Sequence, residues 1–490
     1  MKKVRKVKKN KNFYKILSFI LILCSVISFG IILYFDVLPN RYLILSCIVL
    51  GALVLFLVYK FNVKTKNITK ILCLLLSIIL IFVEVLGTIY AFGTIEFFNN
   101  IVDTGYHNET YGVYIINDYN NLKELNNKIL GVKKDDDHIT KALNKLNYKL
   151  KYQLKEYDSI TDLVKALNAK EIDALYINEA LMNIYLEEHD DNIKELSTFD
   201  IIVKTDSEFK NVNVTKKPFV IYISGVDTSG KVNSSARSDV NILAFVNPVN
   251  GKILLVNTPR DYYLELYSKK AKDKLTHAGL YGTSESAKTL ELLYGTEVNY
   301  YVRVNFTSFI KIIDDLGGIT VDVETPDYRF NGKNDCGAGY ICEQNSKRSW
   351  ENAIYIKAGK NIKLNGEQAL AYARNRHQYA DGDIARGRHQ EEIIKATIEK
   401  IVSPSIITKY NSILKDLSKG IITNIDQKTI TKLINFELDT NKKWDIEMIS
   451  NNGTNGFDVC YSLGKYKAFV LVPDEEKLTE IKEKIKEIME

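Results

Sequence analysis

Three apolar runs dominate the first hundred residues: 16–35, 42–59 and 71–95, the last interrupted only by Glu84. About twenty apolar residues in helical form cross a hydrocarbon layer roughly 30 Å thick, so the runs predict three transmembrane helices. A cleavable signal peptide competes for the first run, but no small-x-small site precedes Asp36 and two further runs follow closely. The cations set the orientation. Residues 1–12 carry Lys2, Lys3, Arg5, Lys6, Lys8, Lys9 and Lys11, and the second short loop carries Lys60, Lys64, Lys66 and Lys70. Loop 36–41 has one charge of each sign. The positive-inside rule then places the N-terminus in the cytoplasm and everything beyond about residue 96 outside the cell, in a multi-pass plasma-membrane protein. Glu84 falls mid-run, where an ionised carboxylate is costly, so it faces another helix or is protonated.

The net charge of +6 arises from 66 basic and 60 acidic residues. That balance gives no case for nucleic acid, and the seven N-terminal cations read as a topology signal. With 46% hydrophobic residues and only seven Pro, the remainder has the composition of globular protein. Strand-like and helix-like segments alternate, which means an α/β class. The expected organisation is a cytoplasmic tail over 1–12, membrane helices within 13–96, a small α/β accessory domain over 105–210, and a catalytic domain with a C-terminal extension over 217–490. In the accessory part, strands are expected at 111–116, 128–132, 172–177 and 200–204, after a polar stretch at 99–110. "KILGVKK" and "LNAKEIDALYINEA" resemble loosely one lobe of an extracytoplasmic solute-binding fold, and the domain reads as a docking or spacing module. Further on, a strand at 218–223 leads into a turn at 224–227, and a hairpin turns at Asn250-Gly251.

Cys24, Cys47 and Cys73 lie in the apolar runs and read as packing. Cys336 and Cys342 flank a Gly-rich turn, and a disulfide between them suits an oxidising exterior. Cys460 stands alone, and no neighbouring Cys or His pair suggests zinc.

Arginine carries the chemical signal. The chain has eleven Arg against 55 Lys, yet "RNRHQYADGDIARGR" at 374–388 holds four Arg and no Lys. A guanidinium is a permanently charged planar fork that grips phosphate bidentately, which an ammonium cannot do. In a helix starting near Asp383, residues Asp383, Arg386 and Gln390 share a face, and the helix N-terminus adds free N–H groups suited to an anion. Asp383 orients Arg386 or acts as a base on an attacking hydroxyl. Arg388 points elsewhere, as ligand contact or surface ion pair, while His377 and His389 read as polar fillers. Asp227 and Asp239 flank a second cluster, "SGVDTSGKVNSSARSDVN". Two carboxylates near a phosphate suggest magnesium, although loop aspartates also close turns. Arg237 and Arg260 lie near the same strands.

Residues 217–401 resemble the LytR–CpsA–Psr family of cell-wall glycopolymer transferases. The motifs are "YISGVDTSG", "ARSDVNILAFVNPVNGKILLVNTPRD", "KLTHAGLYG", "VNFTSFIKIIDDLGGITVDV" and "GEQALAYARNRHQYADGDIARGRHQEEIIKA". Three membrane helices and an accessory domain resemble the capsule-associated branch. The resemblance implies a central mixed sheet flanked by helices, and a greasy groove for a polyprenyl tail. It implies that Asp227 and Asp239 bind Mg2+, and that Arg237, Arg260, Arg374, Arg376, Arg386 and Gln390 surround the pyrophosphate. Many members carry Arg before this glutamine; here His389 stands there. The implied activity moves a capsular or teichoic-acid-like glycan from polyprenyl pyrophosphate to peptidoglycan, releasing polyprenyl phosphate. Two alternatives remain at this point: a polyprenyl-pyrophosphate hydrolase, and a non-catalytic scaffold touching capsule-assembly proteins.

Overall fold

The computed structural model describes residues 2–35, 40–116, 119–189, 191–205, 209–226, 232, 234–328, 336–347, 349–401, 410–440 and 442–490. The chain divides into two compact units. One comprises Met1–Asn100 with Thr408–Lys415 and Asp426–Lys442; the other comprises the rest.

In the first unit, the helices Lys2–Phe35, Asn40–Asn62 and Asn67–Ile101 each contain a stretch long and apolar enough to cross a membrane. Leu21, Val54, Leu57 and Leu80 are buried among the helices, whereas Phe19, Leu55 and Phe82 face outward, as lipid-facing side chains do. Glu84 turns inward and accepts a hydrogen bond from Ser25 Oγ at 2.5 Å. A polar group in hydrocarbon needs such a partner, so the first and third helices are tied at that point.

The second unit carries two principal sheets. The accessory sheet has five strands in the order Tyr152–Tyr157, Lys128–Lys133, Ala174–Asn178, Tyr106–Ile115, Lys194–Lys204. Here the sequence reading needs correction. Residues 106–110 extend a strand rather than a polar linker, because Tyr106 to Thr110 pair with Lys204 to Asp200. Tyr152–Tyr157 is an unforeseen edge strand; it is largely exposed and lacks the alternation that marks a half-buried strand.

The central sheet has six strands in the order Ile421–Thr423, Tyr300–Asn305, Phe219–Val226, Ser238–Asn247, Lys252–Asn257, Asp445–Ser450. It is mixed: the second strand is parallel to the third and the last is parallel to its neighbour. The expected turn at 224–227 begins too early. Ser224 and Gly225 stay in the strand because both sides claim them, Asn241 and Val240 antiparallel and Arg303 and Val304 parallel. One face is covered by the C-terminal helix Glu475–Met489, whose Leu478, Ile481, Ile485 and Ile488 recur at helical spacing and join Phe245, Leu254 and Val256 in the core. A smaller core of Ile313, Ile319, Leu364, Tyr372, Ala385 and Ile393 supports the helices Gly366–Arg374 and Asp383–Ile401.

Candidate functional site

The strand Ser238–Asn247 starts with Ser238 pinned inward, its Oγ 2.7 Å from Ser224 Oγ and 3.0 Å from the Tyr222 hydroxyl. Its neighbours Arg237 and Asp239 therefore project together to the opposite side. Arg260 follows the adjacent strand, its carbonyl accepting from Thr276 N at 2.7 Å. The helix Gly366–Arg374 begins at Asn365 in a reciprocal capping box with Gln368 and delivers Arg374 at its last turn.

The helix Asp383–Ile401 must approach the sheet end closely for Arg386 and Gln390 to reach the same place. Gly387 permits it, because a Cβ there would run into the Asn257 side chain. Glu391 fixes the rotation of the helix by accepting from Ser450 Oγ at 3.0 Å. Gln390 Nε2 donates to the Ala373 carbonyl at 3.2 Å, tying the two helices beside Arg374.

These elements converge on a cavity of about 220 Å3 lined by Arg237, Asp239, Arg260, Arg374, Arg376, Arg386 and Gln390 together with Phe306, Glu343 and His377. Arg260 Nη1 lies 3.0 Å from Asp239 Oδ1, which also accepts from Thr276 Oγ1 at 3.3 Å. Burial alone would raise the Asp239 pKa. The guanidinium charges of Arg260, Arg237 and Arg386 outweigh it and hold the carboxyl below its usual range. Arg237 is gripped bidentately by Glu187, with Nη2 to Oε1 at 2.7 Å. Asp261 braces two arginines from behind, at 3.5 Å from Arg260 Nε and 3.9 Å from Arg376 Nη1. Five guanidinium groups against the carboxylates of Glu187, Asp239 and Glu343 leave the lining net positive, which is what a diphosphate requires.

A second cavity, also about 220 Å3, shares Phe306, Ala373 and Gln390 with the first. Its wall is almost wholly aliphatic and aromatic, including Ile223, Val240, Val304, Phe309, Ile393 and Ile394.

The structure thus brings together Arg237, Arg260, Arg374, Arg376, Arg386, Gln390 and Asp239. Asp227 lies outside the described residues, and so does the side chain of Asp383. Arg388 leaves the cavity and pairs with Glu324 at 2.9 Å and with Asp381. His389 is a buried filler, its ring stacked 4.1 Å from that of Tyr372, and burial pushes its pKa down to about 4. Cys336 and Cys342 are disulfide-bonded.

The sequence reading missed Glu187, Asp261, Thr276, Phe306 and Glu343. Asp261 was adjacent to the singled-out Arg260; Glu187 and Glu343 gave no local signal. It also missed a cluster away from the cavity. Asp273, His277 and Cys460 are all buried with ligand-type atoms near one another. Their polar groups are engaged: His277 Nδ1 lies 2.6 Å from Asp273 Oδ1, and Ser462 N donates to Asp273 Oδ2 at 2.8 Å.

Magnesium takes hard oxygen donors, usually one or two carboxylates, and completes its shell with phosphate and water. Asp239 fits as one such donor: it is held ionised beside the arginines, and both hydrogen bonds described for it go to Oδ1.

The chain is similar to several known proteins. A polyisoprenyl-teichoic acid–peptidoglycan teichoic acid transferase TagU of Bacillus cereus is 30% identical over 230 residues, covering 46% of this chain and 67% of the relative. TagU of Bacillus subtilis is 29% identical over 296 residues, covering 60% of this chain and 86% of the relative. The crystal structure of B. subtilis TagV aligns with a TM-score of 0.43 at 29% identity, over 56% of this chain and 98% of that one. The model of the LytR_cpsA_psr family matches residues 183–487. Because that match spans more than half of its length, the chain belongs to the LytR_cpsA_psr family.

Proposed function

We propose that this protein transfers a glycopolymer, capsular or teichoic-acid-like, from a polyprenyl-pyrophosphate carrier to peptidoglycan. The observation that carries the reading is the junction of the two cavities. An arginine-lined cavity opens beside an apolar groove through Phe306, Ala373 and Gln390. A ligand with a diphosphate joined to an isoprenoid chain has this same division, and similar proteins are named polyisoprenyl-teichoic acid–peptidoglycan teichoic acid transferases.

The chemistry follows from the residue types. A sugar hydroxyl of peptidoglycan attacks the glycan-bearing phosphorus. The bond from that phosphorus to the bridging oxygen breaks, and the electron pair leaves on polyprenyl phosphate. A phosphodiester then joins glycan to wall, and the hydroxyl proton ends on the departing phosphate or in water. Arg374, Arg376 and Arg386 neutralise charge on the diphosphate, while Arg237 and Arg260 position it. Gln390 orients the diphosphate at the mouth of the groove. Asp383 steadies Arg386 or serves as base. Asp239 would hold magnesium, with Asp227 as the second carboxylate, and the ion would supply further neutralisation of phosphate charge. The site would face the cell exterior, with the basic N-terminus in the cytoplasm, and capsule-assembly proteins are the expected partners.

The test incubates the purified full-length chain with a lipid-linked glycan, with and without peptidoglycan, and follows the phosphate. Transfer predicts glycan-phosphate on the wall and polyprenyl phosphate released only with acceptor present. Release without acceptor would make the protein a hydrolase. Retained glycan attachment in cells after replacing Arg374, Arg376 and Arg386 together would make it a scaffold.

A further inference from the structure

The accessory sheet has a feature that spacing and docking do not require. The chain leaves the strand Lys128–Lys133 for its neighbour on one side, Tyr152–Tyr157, then crosses to the neighbour on the other side, Ala174–Asn178; both run parallel to it. The crossover helices lie on opposite faces. Ala142 and Leu146 of the first pack with Leu130 and Tyr176, whereas Leu163 and Leu167 of the second pack with Leu175 and Ile177. In open α/β sheets such a reversal leaves a crevice outside the carboxyl ends of the strands, where ligands bind. Here the crevice is open, because the two central strands pair at Leu130–Ala174 and Gly131–Leu175 and no further toward their carboxyl ends.

A cavity of about 580 Å3 lies at that spot, within the range of small-molecule sites. Lys133 and residues 135–138 line it from the end of one strand and Asn178 from the end of the other; residues 267–269 and the helix Thr283–Tyr294 face them. Its floor is preorganised. His107, Glu109 and Tyr111 alternate along the strand Tyr106–Ile115 and so point the same way. Glu109 Oε1 lies 3.0 Å from both His107 Nε2 and His138 Nδ1, and the Tyr111 hydroxyl donates to Asp136 Oδ1 at 2.6 Å.

We infer that this crevice is a second ligand site and that it takes an uncharged saccharide of one to three sugar units. The charges lining it are close to balanced, Glu109, Asp135, Asp136, Asp137 and Glu285 against Lys133, Lys204, Lys269 and Lys288, and several are already paired: Glu109 with two histidines, Lys269 with Asp137, and Lys288 with Glu291 at 2.8 Å. A phosphate would find no surplus of lysine over carboxylate there. Besides these charges it offers neutral groups: phenol rings and hydroxyls of Tyr267 and Tyr281, the Ser268 and Asn178 side chains, and Ser284 Oγ, which is buried without a hydrogen-bond partner. Sugar hydroxyls and ring faces satisfy such groups without disturbing any ion pair.

The test measures saturation-transfer NMR and calorimetric binding to the detergent-solubilised full chain, with N,N′-diacetylchitobiose, maltose, glycine and inorganic phosphate as probes. A disaccharide should bind, with at least tenfold loss in Tyr267→Ala, at an exposed position of the rim, and in Ser284→Phe, which fills the cavity. Arg386→Lys in the arginine cavity should leave that binding unchanged. The inference is overturned if neither disaccharide binds, if both cleft variants bind as wild type, if Arg386→Lys removes the signal, or if glycine or phosphate competes at this site.

Discussion

The arginine cavity and the accessory crevice both hold many charges, yet they are built oppositely. In the cavity, five guanidinium groups converge on three carboxylates, and two of the arginines are braced from behind by Asp261. In the crevice the cations are lysines and histidines, and acidic partners at hydrogen-bond distance have already matched the pairs closest to its floor. The first has surplus charge held in fixed geometry and is suited to a multiply charged ligand. The second has no surplus and offers neutral polar atoms. The type of cation and its balance with acid, rather than the number of charges, separate the two sites.

The sharpest way to break that contrast is to change fork to point charge while keeping the sign. Arg386→Lys and Arg374→Lys should each cut transfer by about 100- to 1,000-fold, the cost typical of losing one preorganised donor in an active site. Thermal unfolding should be unaffected within about 2 °C, since neither arginine is needed to fill a core. Near-normal transfer in either variant would reduce the cavity to a generic positive patch.

The junction with the groove is tested next. Phe306 lines both the arginine cavity and the apolar groove. Phe306→Ala should lower kcat/KM about tenfold with long-chain lipid substrates, through KM. Against a short-chain analogue lacking most of the isoprenoid, the loss should shrink to about twofold. Equal losses on both substrates would mean that Phe306 shapes the phosphate site alone.

Acid separates the regions by stability. Glu109, held down to about 2 as its histidine hydrogen bonds overcome burial, contributes stability that is present above pH 4.5 and lost as pH falls toward 2. His389, whose neutral form burial favours, contributes stability present above pH 6.5 and lost as pH falls toward 4, because the unfolded chain takes up the proton first. His389→Phe should therefore flatten the melting curve between pH 6.5 and 4, by a few degrees. Glu109→Gln should act below pH 4.5. Coincident windows would refute the assignment of either group.

Much of the cavity was legible because it rests on local strings. Arg374, Arg376, Arg386 and Gln390 sit within seventeen residues, and helical spacing put the last two on one face. The scarcity of arginine was informative but not sufficient. Arg303 is equally scarce, yet it is buried in the central sheet, donating to Thr283 Oγ1 at 3.1 Å and to the Ser234 carbonyl at 2.8 Å. Glu187 was illegible because nothing near it in sequence shows that it meets Arg237 fifty residues away. The edge strand Tyr152–Tyr157 was hidden for a different reason: edge strands with two wet faces carry no hydrophobic alternation. The membrane helices, by contrast, follow from composition and length alone.

Glu187 offers the finest test of how surplus charge is set. It comes from the accessory helix Glu179–Glu188 and holds Arg237 bidentately, with its own side chain 44% exposed. An exposed pair of this kind contributes about 0–1 kcal/mol to stability, so Glu187→Gln should shift the melting midpoint little. Its electrostatic consequence is larger than its stability consequence. Removing one negative charge beside a dianionic ligand leaves Arg237 free to turn toward phosphate, and affinity for inorganic pyrophosphate should rise about two- to fivefold. The same variant should bind saccharide in the accessory crevice unchanged, since Glu187 does not line it. Weaker pyrophosphate binding would mean that Glu187 holds Arg237 in its working position rather than competing for it.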